Sequence, residues 1–230
     1  MSLDQDFCDS PYQFMKKHIV IVKLSDGFQK PRGNEVTAFV VKYPFDAQIE
    51  NPPVPDSQVC FLHLTEDPGA PAPPRHTRKV YWCHYEYDSC HGTVLGRKHV
   101  YMFTPQMDGC TFGAGSQTSD GITRVAHCNA GEFGRQHLTG GNLVGSLQVQ
   151  AHKQVETLDA TFARKQVALG RIVSPFGYLK GDDGIDFRSK ATTFGRRNEY
   201  DQWKFYTQTY RTAAGKFIHC GVKDYTRTLT

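Results

Sequence analysis

Runs of about 4–8 residues rich in Val, Ile, Phe and Tyr recur along this chain, each closed by Gly, Pro or Asp, and that rhythm restricts the fold more than any other feature. β-Branched and aromatic side chains fit a pleated, half-buried surface, while the punctuating residues favour turns. The pattern predicts strands over residues 18–24, 36–43, 58–64, 78–85, 98–103, 122–128, 203–210 and 216–222. One stretch differs. Over residues 152–172, Val155, Leu158, Phe162, Leu169 and Ile172 recur at helical spacing with Lys153, Glu156, Arg164 and Lys165 between them, which predicts an amphipathic helix. A second, shorter helix is expected after Asp9-Ser10-Pro11, a helix-start pattern.

Prolines cannot donate to a sheet ladder, so the segments 26–34, 44–58 and 65–78 read as long loops. The Gly-rich stretch 177–202 has no apolar period and reads as a further loop, and these loops are expected to ring a site. No repeat or linker divides the chain. The expected fold class is α+β, a β-sandwich or mixed β-sheet core with a few flanking helices, in a single catalytic domain over residues 1–230.

Composition removes several function classes. With 39% hydrophobic and 22% charged residues the chain is globular rather than disordered. Its 27 basic and 23 acidic residues are interspersed and no RNA- or zinc-finger-type motif is present, so no nucleic-acid partner is expected. No run reaches the roughly 20 apolar residues that span a bilayer, so no membrane partner is expected either. The first residues lack the basic start and apolar stretch of a Sec signal. Seven irregularly spaced cysteines argue against a complete disulfide framework and for a reducing compartment, where a free nucleophilic thiol survives.

One segment concentrates chemistry: "FTPQMDGCTFGAGSQTSDGITRVAHCNAG", residues 103–131. A thiol needs a neighbouring imidazole to become a nucleophile at neutral pH. Gly121 and the polar run before it let the chain turn, so the strand carrying His127 would return past Cys110, with Val125 and His127 on one face and Arg124, Ala126 and Cys128 on the other. Gly109, just before the cysteine, permits a tight turn that aims backbone N–H groups, that of Cys110 included, at an oxyanion.

The spacing Thr104, five residues, Cys110, sixteen residues, His127 resembles the Thr, Cys and His pattern of the cysteine glutamine deamidases that include the bacterial chemoreceptor deamidase, the catalytic domain of cytotoxic necrotizing factor and the Burkholderia lethal factor. The resemblance is confined to this motif. It implies Cys110 as nucleophile, His127 as base and then acid, and Thr104 as a hydroxyl packed beside them. It further implies a protein substrate carrying a reactive glutamine, no cofactor and no metal, and a location in the bacterial cytoplasm or, after delivery, a host cytosol.

Three alternatives stand beside it. A cysteine peptidase or transglutaminase-like acyltransferase would use the same pair on another acyl group. "YWCHYEYDSCHG" places Cys83, His84, Cys90 and His91 close in sequence as candidate zinc ligands, although strand alternation sends Cys83 and His84 to opposite faces. A non-catalytic β-rich binding module would use the aromatics Tyr81, Trp82, Tyr85 and Tyr87, and Trp203, Phe205, Tyr206 and Tyr210, as a surface, where alternating strand aromatics more often form core.

Overall fold

The computed structural model describes residues 2–22, 31–66, 76–181 and 184–225. In chain order they form α1 (Leu3–Asp9), α2 (Pro11–Lys17), β1 (Ile19–Val22), β2 (Glu35–Lys42), β3 (Ile49–Glu50), β4 (Val59–Thr65), β5 (Arg78–Trp82), β6 (Cys90–Leu95), β7 (Tyr101–Met107), β8 (Thr111–Gly115) and β9 (Thr123–Cys128). Next come α3 (Gly131–Gln136), α4 (Leu143–Ala163), β10 (Leu169–Val173), α5 (Pro175–Tyr178), β11 (Lys180–Gly181), β12 (Gly184–Ile185), β13 (Ser189–Arg197), β14 (Trp203–Ala213) and β15 (Lys216–Asp224). The α+β reading holds. A mixed nine-stranded sheet runs β1-β4-β2-β5-β7-β13-β14-β15-β3, a four-stranded sheet runs β10-β8-β9-β6, and β11 and β12 form a small ribbon.

Strand alternation assigns the layers. On β5, Val80 and Trp82 join Phe7, Phe14 and Met15 of the two N-terminal helices, whereas Tyr81 between them faces the smaller sheet. The same alternation separates Phe103 from Met102 on β7 and Tyr206 from Phe205 on β14. The core between the sheets therefore contains Tyr81, Met102 and Phe205 from one side and Cys110, Phe112 and Val125 from the other. The outer face of the smaller sheet carries Ala126 and Cys128 against Leu158 and Phe162 of α4. The order of layers is helices, large sheet, small sheet, helix.

Several expectations need correction. The long helix starts and ends earlier than residues 152–172: its buried stripe is Leu147, Ala151, Gln154, Leu158 and Phe162. Gln154 is polar, so an apolar count passes over it. Gln166 adopts φ 55°, which ends the helix, and Leu169 and Ile172 lie on strand β10 instead. The stretch 177–202 is not one loop, since β13 runs through it at the centre of the large sheet between β7 and β14. Its threonines made it read as polar; inside, Thr192 Oγ1 donates to Val20 O at 3.0 Å and Thr193 and Thr207 share a 2.9 Å bond. Strands β6 and β8 were not expected, being short and rich in Gly, Ala and Thr.

The α2 helix follows the Asp9-Ser10-Pro11 start, with Ser10 Oγ accepting from Gln13 N–H. Residues 44–58 form a loop interrupted by β3. Residues 23–30 and 67–75, which hold most of two expected loops, lie outside the described residues. Among those described, no helix is long and apolar enough to cross a membrane.

Candidate active site

The chain leaves the large sheet at Met107, crosses through Asp108 and Gly109, and enters the small sheet at Thr111, so Cys110 sits at the corner between the two sheets. That corner is clamped by side chains from three directions. Tyr178 Oη accepts from Gly109 N–H at 2.9 Å and donates to Cys110 O at 2.8 Å, while the amide nitrogens of Gln150 and Gln154 both donate to Gly109 O at 3.0 Å. Thr111 Oγ1 donates to Gln154 Oε1 at 2.6 Å, which fixes that amide. The buried Gln154 is thus a strut under the cysteine. The Gly109 N–H is occupied by Tyr178 and is removed from the expected oxyanion donors; the clamp does not use the Cys110 N–H.

His127 lies on β9, where it pairs with Phe112 of β8 on one side and His91 of β6 on the other. Thr111 pairs with Cys128, and one step further the register sets Cys110 against Asn129. Alternation then places Cys110, Phe112, His127 and Asn129 on one face of the small sheet, the face turned towards the large one. Cys110 and His127 are diagonal neighbours there, about 7–8 Å apart between Cα atoms by ordinary sheet geometry. Thr104 projects from β7 across the interior and bonds His127 Nδ1 at 2.5 Å. A bond between the sheets joins Thr104 to His127, while Cys110 shares the face of His127 one diagonal position away. No hydrogen bond joins the Cys110 and His127 side chains among the described residues.

The Thr104 hydroxyl also donates to Pro105 O at 3.2 Å. With its proton directed there, its oxygen accepts from Nδ1–H, which leaves the His127 lone pair on Nε2. That Nε2 is buried and has no partner.

Asn129 was not picked out in the sequence. Its Oδ1 accepts from Asp88 N–H and Gly131 N–H, both at 3.0 Å, so its Nδ2 is oriented by elimination towards Cys110 Sγ, 3.2 Å away. The available clue was the position two residues after His127, which strand alternation puts on the same face. Tyr85, half-buried, covers this group with its ring 5.4 Å from that of His127.

Burial governs the electrostatics. It pushes the Cys110 thiol up to about 12 against a smaller opposing effect of the Asn129 amide. It pushes His127 down to about 3, with His84 and His91 adding repulsion. The resting pair is a neutral thiol beside a neutral imidazole, not a thiolate–imidazolium pair.

The candidate zinc ligands separate. Cys83 is buried between the sheets and donates to His91 O at 3.7 Å, and Cys90 turns to the α4 side beside Cys128 and Thr161. His84 and His91 do come together, ring centroids 4.4 Å apart, with Glu86 as third member. Of the aromatics considered as a surface, Tyr81, Trp82, Trp203, Phe205, Tyr206 and Tyr210 are core. Residues 44–58 line a separate groove with Lys42 and Val59, whereas Tyr178, in the Gly-rich stretch, reaches the Cys110 backbone.

The sequence matches no protein-family model, and no curated protein matches it either.

Proposed function

We propose that this chain is a cysteine-dependent amidohydrolase that converts a glutamine side chain of a protein to glutamate. One observation carries the reading: His127 is fixed through Nδ1 by Thr104, while its Nε2 stays buried and unpartnered on the face it shares with Cys110. A buried acceptor without a donor costs about 1–3 kcal/mol, and structural histidines normally avoid that cost. A group that must receive a proton from a thiol has a reason to bear it.

The chemistry follows from these positions. Because the resting pair is neutral, the Cys110 proton passes to His127 Nε2 as Sγ attacks the glutamine amide carbon, rather than beforehand. In this reading the oxyanion is held by the Cys110 N–H and by Asn129 Nδ2, which lies 3.2 Å from Cys110 Sγ, and one such donor is typically worth about 10²–10³ in rate. Collapse breaks the C–N bond as Nε2–H protonates the departing ammonia, leaving a thioester. Water then attacks the thioester carbon, giving its proton to Nε2, and the C–S bond breaks with return of that proton to sulfur. Glutamate is released and the free thiol restored. The choice of water over an amine as second acceptor separates this reaction from transglutamination.

The burial of Cys110, only 3% exposed, favours a second reading in which it and His127 are inert core of a binding module. The two readings differ in one experiment. Intact cytosolic extracts of bacterial and host origin are incubated with the native protein or with Cys110→Ala, and glutamine-to-glutamate conversions are mapped by peptide mass spectrometry. Conversions made only by the native protein support the deamidase; identical maps would leave the binding module.

A further inference from the structure

The loop after β5 folds back so that His84 lies on His91, the ring planes 43° apart, and Glu86 closes the group from the solvent side. One ligand atom from each of the three residues lies within 4.8 Å of the others. His91 Nε2 is 3.1 Å from Glu86 Oε2 and 3.0 Å from Ser89 Oγ. His84 Nδ1 is buried and has no partner. The His91–Glu86 contact accounts for two members of the group, but it leaves the second imidazole stacked beside them with its buried Nδ1 unpartnered.

We propose that His84, Glu86 and His91 bind one divalent transition-metal ion of the Zn²⁺ class. Imidazole and a single carboxylate suit a borderline ion, whereas Mg²⁺ and Ca²⁺ prefer shells of oxygen. Ligand atoms of a tetrahedral zinc sit about 2.0–2.2 Å from the metal, so side-chain rotation of a few tenths of an ångström to an ångström contracts the present group around an ion. Access is open, since the His91 and Glu86 side chains are 27% and 55% exposed. Water completes the shell. The thiols close in sequence are not ligands, because Cys83 and Cys90 point away to different layers.

The position gives the ion a consequence. His91 is the cross-strand partner of His127, and both face the same layer. An ion held there sits across a single strand pair from His127, so metal occupancy is expected to alter glutamine conversion. That consequence rests on the deamidase reading; the binding does not.

The test keeps them apart. Native protein, stripped with chelator, is titrated with Zn²⁺ against a chromophoric competitor, alongside His84→Ala, His91→Ala and Glu86→Gln, each first checked for native circular dichroism. One saturable equivalent is expected, weakened about 100-fold or more by loss of either histidine and about tenfold or more by loss of the carboxylate. Co²⁺ in the unaltered protein should give tetrahedral d–d bands without a thiolate charge-transfer band. Absence of a saturable equivalent, affinity unchanged from the native protein in either histidine variant, or a strong thiolate band would each overturn the site. Tight binding with no effect on glutamine conversion would keep the site and remove only its link to catalysis.

Discussion

Gln208 and His127 are both buried polar residues that tie separate layers together, and they treat their hydrogen-bonding groups in opposite ways. Gln208, on β14, accepts from Val20 N–H at 2.7 Å and donates through Nε2 to His18 O at 2.6 Å and to Met15 O, so it joins the sheet to the end of α2 and the start of β1. Every polar atom of that side chain is occupied. His127 ties the two sheets through Nδ1 and holds Nε2 back. A residue that serves stability fills its partners, because each vacancy costs energy; under the proposed function, His127 leaves vacant the atom that the reaction needs.

The sharpest way to break this contrast is to remove the reacting groups. Cys110→Ala and His127→Ala should each lower glutamine conversion by about 10⁴-fold or more, as expected when members of one catalytic unit are lost. Cys110→Ala should move the urea midpoint little, whereas His127→Ala, which empties a buried site between the sheets, also destabilises, so rates are compared per folded molecule. If conversion persists in either variant, His127 is a structural residue with an unmet acceptor and the contrast fails.

Gln208→Leu should do the reverse. It leaves the Val20 N–H and the His18 carbonyl without their partner and the Met15 carbonyl with His219 alone, at a cost of about 3 kcal/mol in urea unfolding, while conversion per folded molecule stays near native. A large loss of rate at unchanged stability would assign Gln208 a part in the chemistry.

Acid offers a graded version of the same comparison. Unfolded His127 takes up its proton near 6.5, whereas burial delays this in the folded protein to about 3. Between those values the unfolded state holds more protons, so stability is full above 6.5 and falls as the pH drops through the window. From pH 6.5 to 5 the His127 share is on the order of 2 kcal/mol. His18, His84 and His219 are pushed down by burial too and contribute in the same direction, so the measurement is the difference between native protein and His127→Gln. Parallel pH–stability curves would show that His127 is not buried as a neutral base.

Legibility in the sequence followed the same division. Strands with Val, Ile and aromatic runs were readable because burial on two faces demands such residues, and the candidate residues Thr104, Cys110 and His127 could be singled out because they lie within one short stretch. What escaped depended on contacts distant in sequence. Gln154 counts as polar until Thr111 and Gly109 O are known to meet it. Asn129 acquires a role only when Asp88 and Gly131 fix its amide. β13 reads as a loop until Val20 and Thr207 are seen to satisfy its threonines. Chemistry-bearing residue types announce themselves singly, whereas supporting polar residues have meaning only in pairs.

Thr104 sits on the boundary between the two kinds of residue, and its substitution has the smallest effect expected. It is fully buried, like a structural threonine, yet its oxygen sets which nitrogen of His127 carries the proton. Thr104→Val preserves shape and removes that acceptor. The Nδ1 proton is then unpaired, the ring is free to take the other tautomer, and kcat should fall about tenfold with KM nearly unchanged, because the altered group acts in the reaction step rather than in substrate binding. Thr104→Ser, which keeps the hydroxyl, should recover most of the rate. If Val and Ser behave alike, packing rather than the Nδ1 bond is what Thr104 supplies, and His127 would have to be oriented by the strand alone.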